Sequence, residues 1–164
     1  MTTALTATAQ PSLGAKFEWA SALPATADAA GVAALTFMEL HHVFDGDRPR
    51  LTASAEKRET FGGPLYYAAF EDIDTTEIRM PRAEGTEAKD FDAAQAALRE
   101  AAQTRAFGML KITVPTSTGT RAEAFLCQVL SFHEELEGPA GLQTVVVRLQ
   151  GQKRQGQNLL GIEL

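Results

Sequence analysis

Apolar positions recur at every second residue along most of this chain, and that alternation marks a succession of β-strands. The first is short: in AKFEWA, residues 15–20, Phe17 and Trp19 share a face opposite Lys16 and Glu18. LTFMELHHVF, residues 35–44, is longer and apolar on both sides, with Leu35, Phe37 and Val43 against Met38, Leu40 and Phe44. DGDRP, residues 45–49, carries turn chemistry, because glycine between aspartates tolerates positive φ and proline interrupts a ladder. RLTASAE alternates again, so the pattern predicts a hairpin of residues 35–44 with 50–56. The following KRETFGGPLYYAAFEDID reads as a loop whose four aromatics, Phe61, Tyr66, Tyr67 and Phe70, require something to pack against.

Four more strands follow: 76–81 with Ile78 and Met80 inward, 109–115 with Leu110, Ile112 and Val114 inward, 121–135, and 142–150 with Val145, Val147 and Leu149 inward. Turns are expected at TSTG and EGPAG. Helical spacing belongs to DAAQAALREAAQTRAFG, where Asp92 is an N-cap with Gln95 three residues later, Phe91 staples the entry and Gly108 marks the end. Residues 124–136, AFLCQVLSFHEEL, pose a question. Ala124, Leu126, Leu130 and Phe132 alternate with Phe125, Cys127 and Val129, so both faces of this strand need a dry neighbour.

These elements predict a mainly β (α+β) fold, an antiparallel β-sandwich or barrel with one α-helix packed on it. Residues 1–14 read as a flexible N-terminal arm, 21–34 as a loop, 15–152 as the β domain and 153–164 as a C-terminal extension. A length of 164 residues suits one domain that needs no staples. The single cysteine, Cys127, sits mid-strand as a small core hydrophobe, and no internal disulfide is possible. MTTALTATAQPSLGAKF has no basic residue ahead of an apolar run, and no stretch reaches the roughly 18 apolar residues of a membrane span. A soluble, cytosol-made chain without membrane binding is expected.

Charge and chemistry narrow the function further. With 21 acidic and 15 basic side chains, a formal charge of −6 and the basic residues scattered, tight wrapping of nucleic acid is disfavoured. His41 and His42, near Asp45 and Asp47, point to opposite faces if they lie on a strand and so do not share an ion. His133 with Glu134 and Glu135 lacks a nucleophile, and neither GMLK nor GQKRQG has the setting of a phosphate loop. No enzyme activity, metal or cofactor is expected.

The order of elements, together with FDAAQAALREAAQTRAFGMLKITVP, TRAEAFLCQVLSFHEEL, LQTVVVRLQGQ and LTASAEKRET followed by GPLYYAAFED, resembles the major tail tube proteins of bacteriophages over residues 14–152. DGDRP is a short hairpin tip for that family, and KRQGQNLLGIEL extends past its usual final strand. The resemblance implies hexameric rings stacked into a tube for DNA delivery, located in the virion tail after assembly in the host cytoplasm. It also implies tape measure, terminator and distal tail or baseplate proteins as partners, with non-specific DNA passage through the lumen. The second face of a doubly apolar strand would then be covered by copies of the same chain. Assembly contacts are expected at Phe61, Tyr66, Tyr67 and Phe70, at Glu56, Lys57, Arg58 and Glu59, and at Asp45, Asp47 and Arg48. The lumen is expected to be faced by Glu77, Arg79, Lys111, Thr113, Thr144, Arg148 and Gln150, a mixed set on which an acidic, DNA-repelling lining is a hypothesis. The alternatives are a type VI secretion-like tube protein, a tail terminator ring, a small-ligand-binding β-barrel and, last, an enzyme.

Overall fold

The computed structural model describes residues 14–136, 141, 143–152 and 161–164, with backbone alone at residues 51, 53–55 and 67–72. Most of the 1–14 arm, most of the 153–164 extension and the EGPAG turn except Gly141 lie outside the described residues. The elements in chain order are β1 (Lys16–Ala20), α1 (Ala29–Ala33), β2 (Met38–Leu40), β3 (Leu51–Thr60), β4 (Gly63–Ile73), β5 (Thr75–Pro81), α2 (Ala93–Thr104), β6 (Phe107–Thr116), β7 (Gly119–Leu136), β8 (Gln143–Gly151) and β9 (Gly161–Glu163).

One antiparallel sheet runs β2-β1-β6-β7-β8-β5, with β9 added to β7, while β3 and β4 form a separate two-stranded sheet. The large sheet curls towards closure. Its last strand on one side, β2, ends at Leu40, and five residues later Asp45 pairs with Arg79 on the free edge of β5. Arg79 N–H donates to the Asp45 carbonyl at 2.8 Å, and Phe44 N–H donates to the Arg79 carbonyl at 3.1 Å. Five residues span at most about 17 Å, so the two edges come within that distance. DGDRP is therefore a strap across the barrel seam and not the tip of a hairpin. The extended segment expected over 35–44 shrinks to Met38–Leu40 for the same reason: the chain must turn at His41–His42 to reach the opposite edge. His42 takes φ 58° there.

The inner face of the curl holds the main core. Register aligns Leu40, Phe17 and Ile112 in one row, Trp19, Leu110 and Phe125 in the next, and Ile78, Val147 and Phe132 further along. Helix α2 lies over them through Ala94, Leu98 and Ala101. Burying Leu98 alone contributes roughly 2 kcal/mol. The Trp19 indole crosses β6 at Gly108, where an added Cβ would meet the ring at 2.2 Å. Gly108 thus makes room for the tryptophan, whereas the helix itself ends earlier, at Thr104, with Arg105 left-handed at φ 56°.

A β-bulge at Leu130 rearranges the doubly apolar strand. The extra residue returns Phe132 to the inner face, opposite Val147, where the uninterrupted period places it outward. The outer face of β7 is also covered, and by the chain itself. Ala124 packs with Ala20, Val32, Met109 and Ile162, flanked by Leu35, Phe37 and Leu126. The region 21–34, expected as a loop, supplies this lid as α1, capped by Asp28, whose carboxylate accepts from Gly31 N–H at 2.7 Å. Identical copies are not needed to dry this surface, which corrects the expectation for β7.

Asp92 caps α2 as expected, accepting from Gln95 N–H at 2.8 Å. The Gln95 side chain does not complete a reciprocal box. It is buried and turns to the end of β5, donating to the Pro81 carbonyl and accepting from Ala83 N–H, at 2.8 and 3.0 Å. One amide thereby ties the helix entry to the sheet. Gln95→Leu leaves both backbone groups without that partner, and chemical denaturation is expected to show a loss of about 1–3 kcal/mol.

Candidate assembly surface

The β3–β4 hairpin leaves the body after the strap and returns to β5. Its ladder runs from Leu51 opposite Ile73 to Thr60 opposite Gly63, with Phe61 and Gly62 at the turn and a register shift beyond Ser54. Ten residues of strand carry the tip roughly 30 Å from its base. Among the described residues no body element packs extensively on this hairpin, and every β3 side chain described is exposed. Phe61 is fully exposed, Leu65 54% and Tyr66 68%.

Expected contact residues fall at two places. Phe61, Tyr66, Glu56, Lys57, Arg58 and Glu59 gather on the projecting hairpin, where Lys57 and Glu59 pair at 2.6 Å. Tyr67 and Phe70 lie on its β4 backbone. The apparent loop is thus the end of β3, the turn and the whole of β4, with Phe61 and Tyr66 exposed. Asp45, Asp47 and Arg48 instead occupy the seam strap at the hairpin's base. Arg48 reaches Glu123 of β7 at 3.0 Å, while Asp47 pairs with Arg50. Pro49 closes against Gly151, where an added Cβ would lie 2.7 Å from the proline Cβ.

The lumen set divides as well. Glu77, Arg79, Arg148 and Gln150 share the outer face of β5 and β8 with His133 and Glu135 of β7. Lys111 and Thr113 lie on the same face at β6, but the Lys111 ammonium is held by Glu18 at 2.8 Å and sits 4.4 Å from the Phe37 ring centroid. Thr144 shares that outer face by register, opposite Pro81 and Glu135, but is only 1% exposed. Its β8 neighbourhood is buried on both faces, as Val145 and Val146 show.

Arg79 organises the outer charges by bonding both Glu77 and Glu135 at 2.8 Å. The hydrogen bond from Arg79, then that from His133, holds the Glu135 carboxyl below the usual carboxylate range. Two carboxylates face two guanidiniums here, so the strip is balanced in charge and not acidic. His133 Nε2 lies 3.2 Å from Glu135 Oε1, and among the described residues no hydroxyl or thiol is hydrogen-bonded to the ring. His41 and His42 are exposed in a turn, and the described residues contain no cluster of three or more His, Cys, Asp or Glu able to hold an ion. Burial pushes the Cys127 thiol up to about 12, as befits a core side chain.

The sequence matches no family model and no curated protein. Its fold nevertheless aligns with the SPP1 tail tube protein at a TM-score of 0.65 and 14% identity, covering 94% of this chain and 80% of that one. The chain has a tail-tube-like fold. A chain of the six-fold symmetrised anti-feeding prophage baseplate aligns at a TM-score of 0.60 and 6% identity, over 92% of this chain and 95% of that one. A type six secretion system protein is more distant, at a TM-score of 0.49 with 12% identity. At such identities the tail-tube-like fold is shared through its pattern of strands and not through a set of side chains.

Because the Glu135 carboxyl titrates lower in the folded chain than unfolded, its stabilisation is present above the unfolded value, about pH 4.3, and fades as pH falls through the lower folded value. Glu135→Gln should therefore melt below wild type at pH 7, with the gap closing as pH falls through the lowered folded value. A gap independent of pH would contradict the Arg79 pairing.

Proposed function

We propose that this chain is a non-catalytic structural protein that polymerises as stacked hexameric rings into a phage tail tube, the conduit for DNA delivery. The observation that carries the reading is the unpartnered hairpin. Two strands alone are marginal in water, and this pair extends about 30 Å beyond its core with Phe61, Leu65 and Tyr66 exposed. Such a hairpin requires a partner, and the tail-tube-like fold makes further copies of the chain the natural one. The six-fold symmetry in which the anti-feeding prophage baseplate was described supplies the expected ring number.

In this reading, the balanced strip of Glu77, Arg79, Arg148 and Gln150 faces the lumen. Arg79, held by two carboxylates, offers DNA little free charge, which keeps phosphate contacts transient. Tape measure, terminator and distal tail or baseplate proteins meet the ends of the tube, in the virion tail. The alignment over 95% of an anti-feeding prophage baseplate chain favours a second reading, a ring at the baseplate end that does not repeat along the tail.

Negative-stain microscopy of the concentrated protein separates these readings: long tubes are expected, single rings would favour the baseplate position, and a persistent monomer would contradict both. Replacing residues 53–71 by Asn-Gly, which joins the paired Thr52 and Asp72 through a tight turn, is expected to abolish assembly. The melting temperature of the body should stay within a few degrees, since among the described residues no body element packs extensively on the hairpin. Tyr66→Ser should weaken assembly at least tenfold by light scattering and leave a soluble, folded monomer.

A further inference from the structure

The two ends of the barrel are chemically different. β5 begins at Thr75 opposite Gln150 and finishes at Pro81 opposite Thr144. The hairpin departs from the first end, at Ile73. At the second end, about 20 Å away, a cleft of about 650 Å³ opens between the entry of α2 and the ends of β7 and β8. Phe91 and Phe132 meet there edge to face, with centroids 5.2 Å apart. Two guanidiniums approach the Phe91 ring, Arg82 at 4.8 Å and Arg99 at 5.4 Å from the centroid. Arg82 is paired with Glu134 at 2.8 Å. Arg99 is exposed and has no carboxylate within salt-bridge distance among the described residues. The cleft, which Glu84 and Lys89 also line, therefore combines an aromatic wall with a guanidinium that meets no carboxylate among the described residues.

The hairpin tip is its complement: a fully exposed Phe61 beside Glu59, whose side chain is 70% exposed and shares its charge only with the exposed Lys57 of the same strand. We propose that this cleft receives the hairpin tip of a second copy, Phe61 packing on the Phe91–Phe132 pair and Glu59 meeting Arg99. Tip and cleft lie at opposite ends of one body, so the contact is head to tail. A heterologous contact of this kind repeats without closing on itself, and it sets one polarity for the stack. The inference rests on the tube reading and adds the receptor surface to it.

Two single-cysteine variants, Thr60→Cys and Ala88→Cys, place one thiol at the tip and one at the cleft rim, while the native Cys127 is buried. Mixed and oxidised after assembly, they are expected to give a disulfide-linked dimer that neither variant gives alone, since bridging requires α-carbons within about 7 Å. Arg99→Glu should raise the concentration needed for assembly at least tenfold, and Glu59→Arg in the same chain should restore it. Tubes that form without the mixed cross-link, or that are indifferent to Arg99→Glu, would overturn the cleft as receptor and leave the tube reading standing. Failure of the wild-type chain to assemble at all would overturn both.

Discussion

A pair of β-strands satisfies only half of its backbone groups internally and, without a third layer, has no core. Everything distinctive about this molecule follows from that constraint acting on residues 51–73. The body solves its own problem by curling a six-stranded path around α2 and closing the seam with Asp45 against Arg79. The hairpin finds no such solution among the described residues. Its exposed aromatics sit where another molecule can reach them and the body cannot.

The seam strap joins these two parts. Residues 41–50 leave β2, pair with β5, anchor through Arg48 to Glu123 and lead directly into β3. The hairpin is consequently mounted at both strands on the closed edge of the barrel: at the strap through Arg50, whose carbonyl accepts from Asp74 N–H, and at β8 through the Gln150 amide, which donates to the Ile73 carbonyl. A rigid base gives a long hairpin a defined direction, which a repeating assembly needs. The outer face of β1, β6 and β7 is meanwhile sealed by α1 and β9, leaving β5 and β8 to present a polar, charge-balanced surface.

The strands that pack on the core were readable from alternation alone: Phe17 and Trp19, Ile78 and Met80, Leu110 and Ile112, Val145 and Val147 all point where their period puts them. So was the Asp92 cap, because capping is local chemistry. The hairpin was not, and the reason is physical. Alternation records burial against a core, and Lys57-Arg58-Glu59-Thr60 is exposed and meets none among the described residues, so the pattern ends at Glu56. Gly62-Gly63-Pro64 then read as a break, where the turn is Phe61-Gly62 and Gly63 takes φ 112° at the start of β4. The bulge at Leu130 and the route of Gln95 to β5 depend on partners distant in sequence and leave no periodic trace. α1 carried a signal in Asp28 three residues ahead of Gly31, hidden in an alanine-rich stretch that favours loop and helix alike.

The central claim is that the hairpin finds its partner in other copies of this chain. Amide hydrogen exchange across residues 51–73, compared between dilute monomer and assembled protein, tests it most directly. Exchange should be fast in the monomer and slowed at least a hundredfold after assembly, while amides of β6 and β8 stay protected in both states. A hairpin already protected in the dilute monomer, or still unprotected in the assembly, would contradict the account.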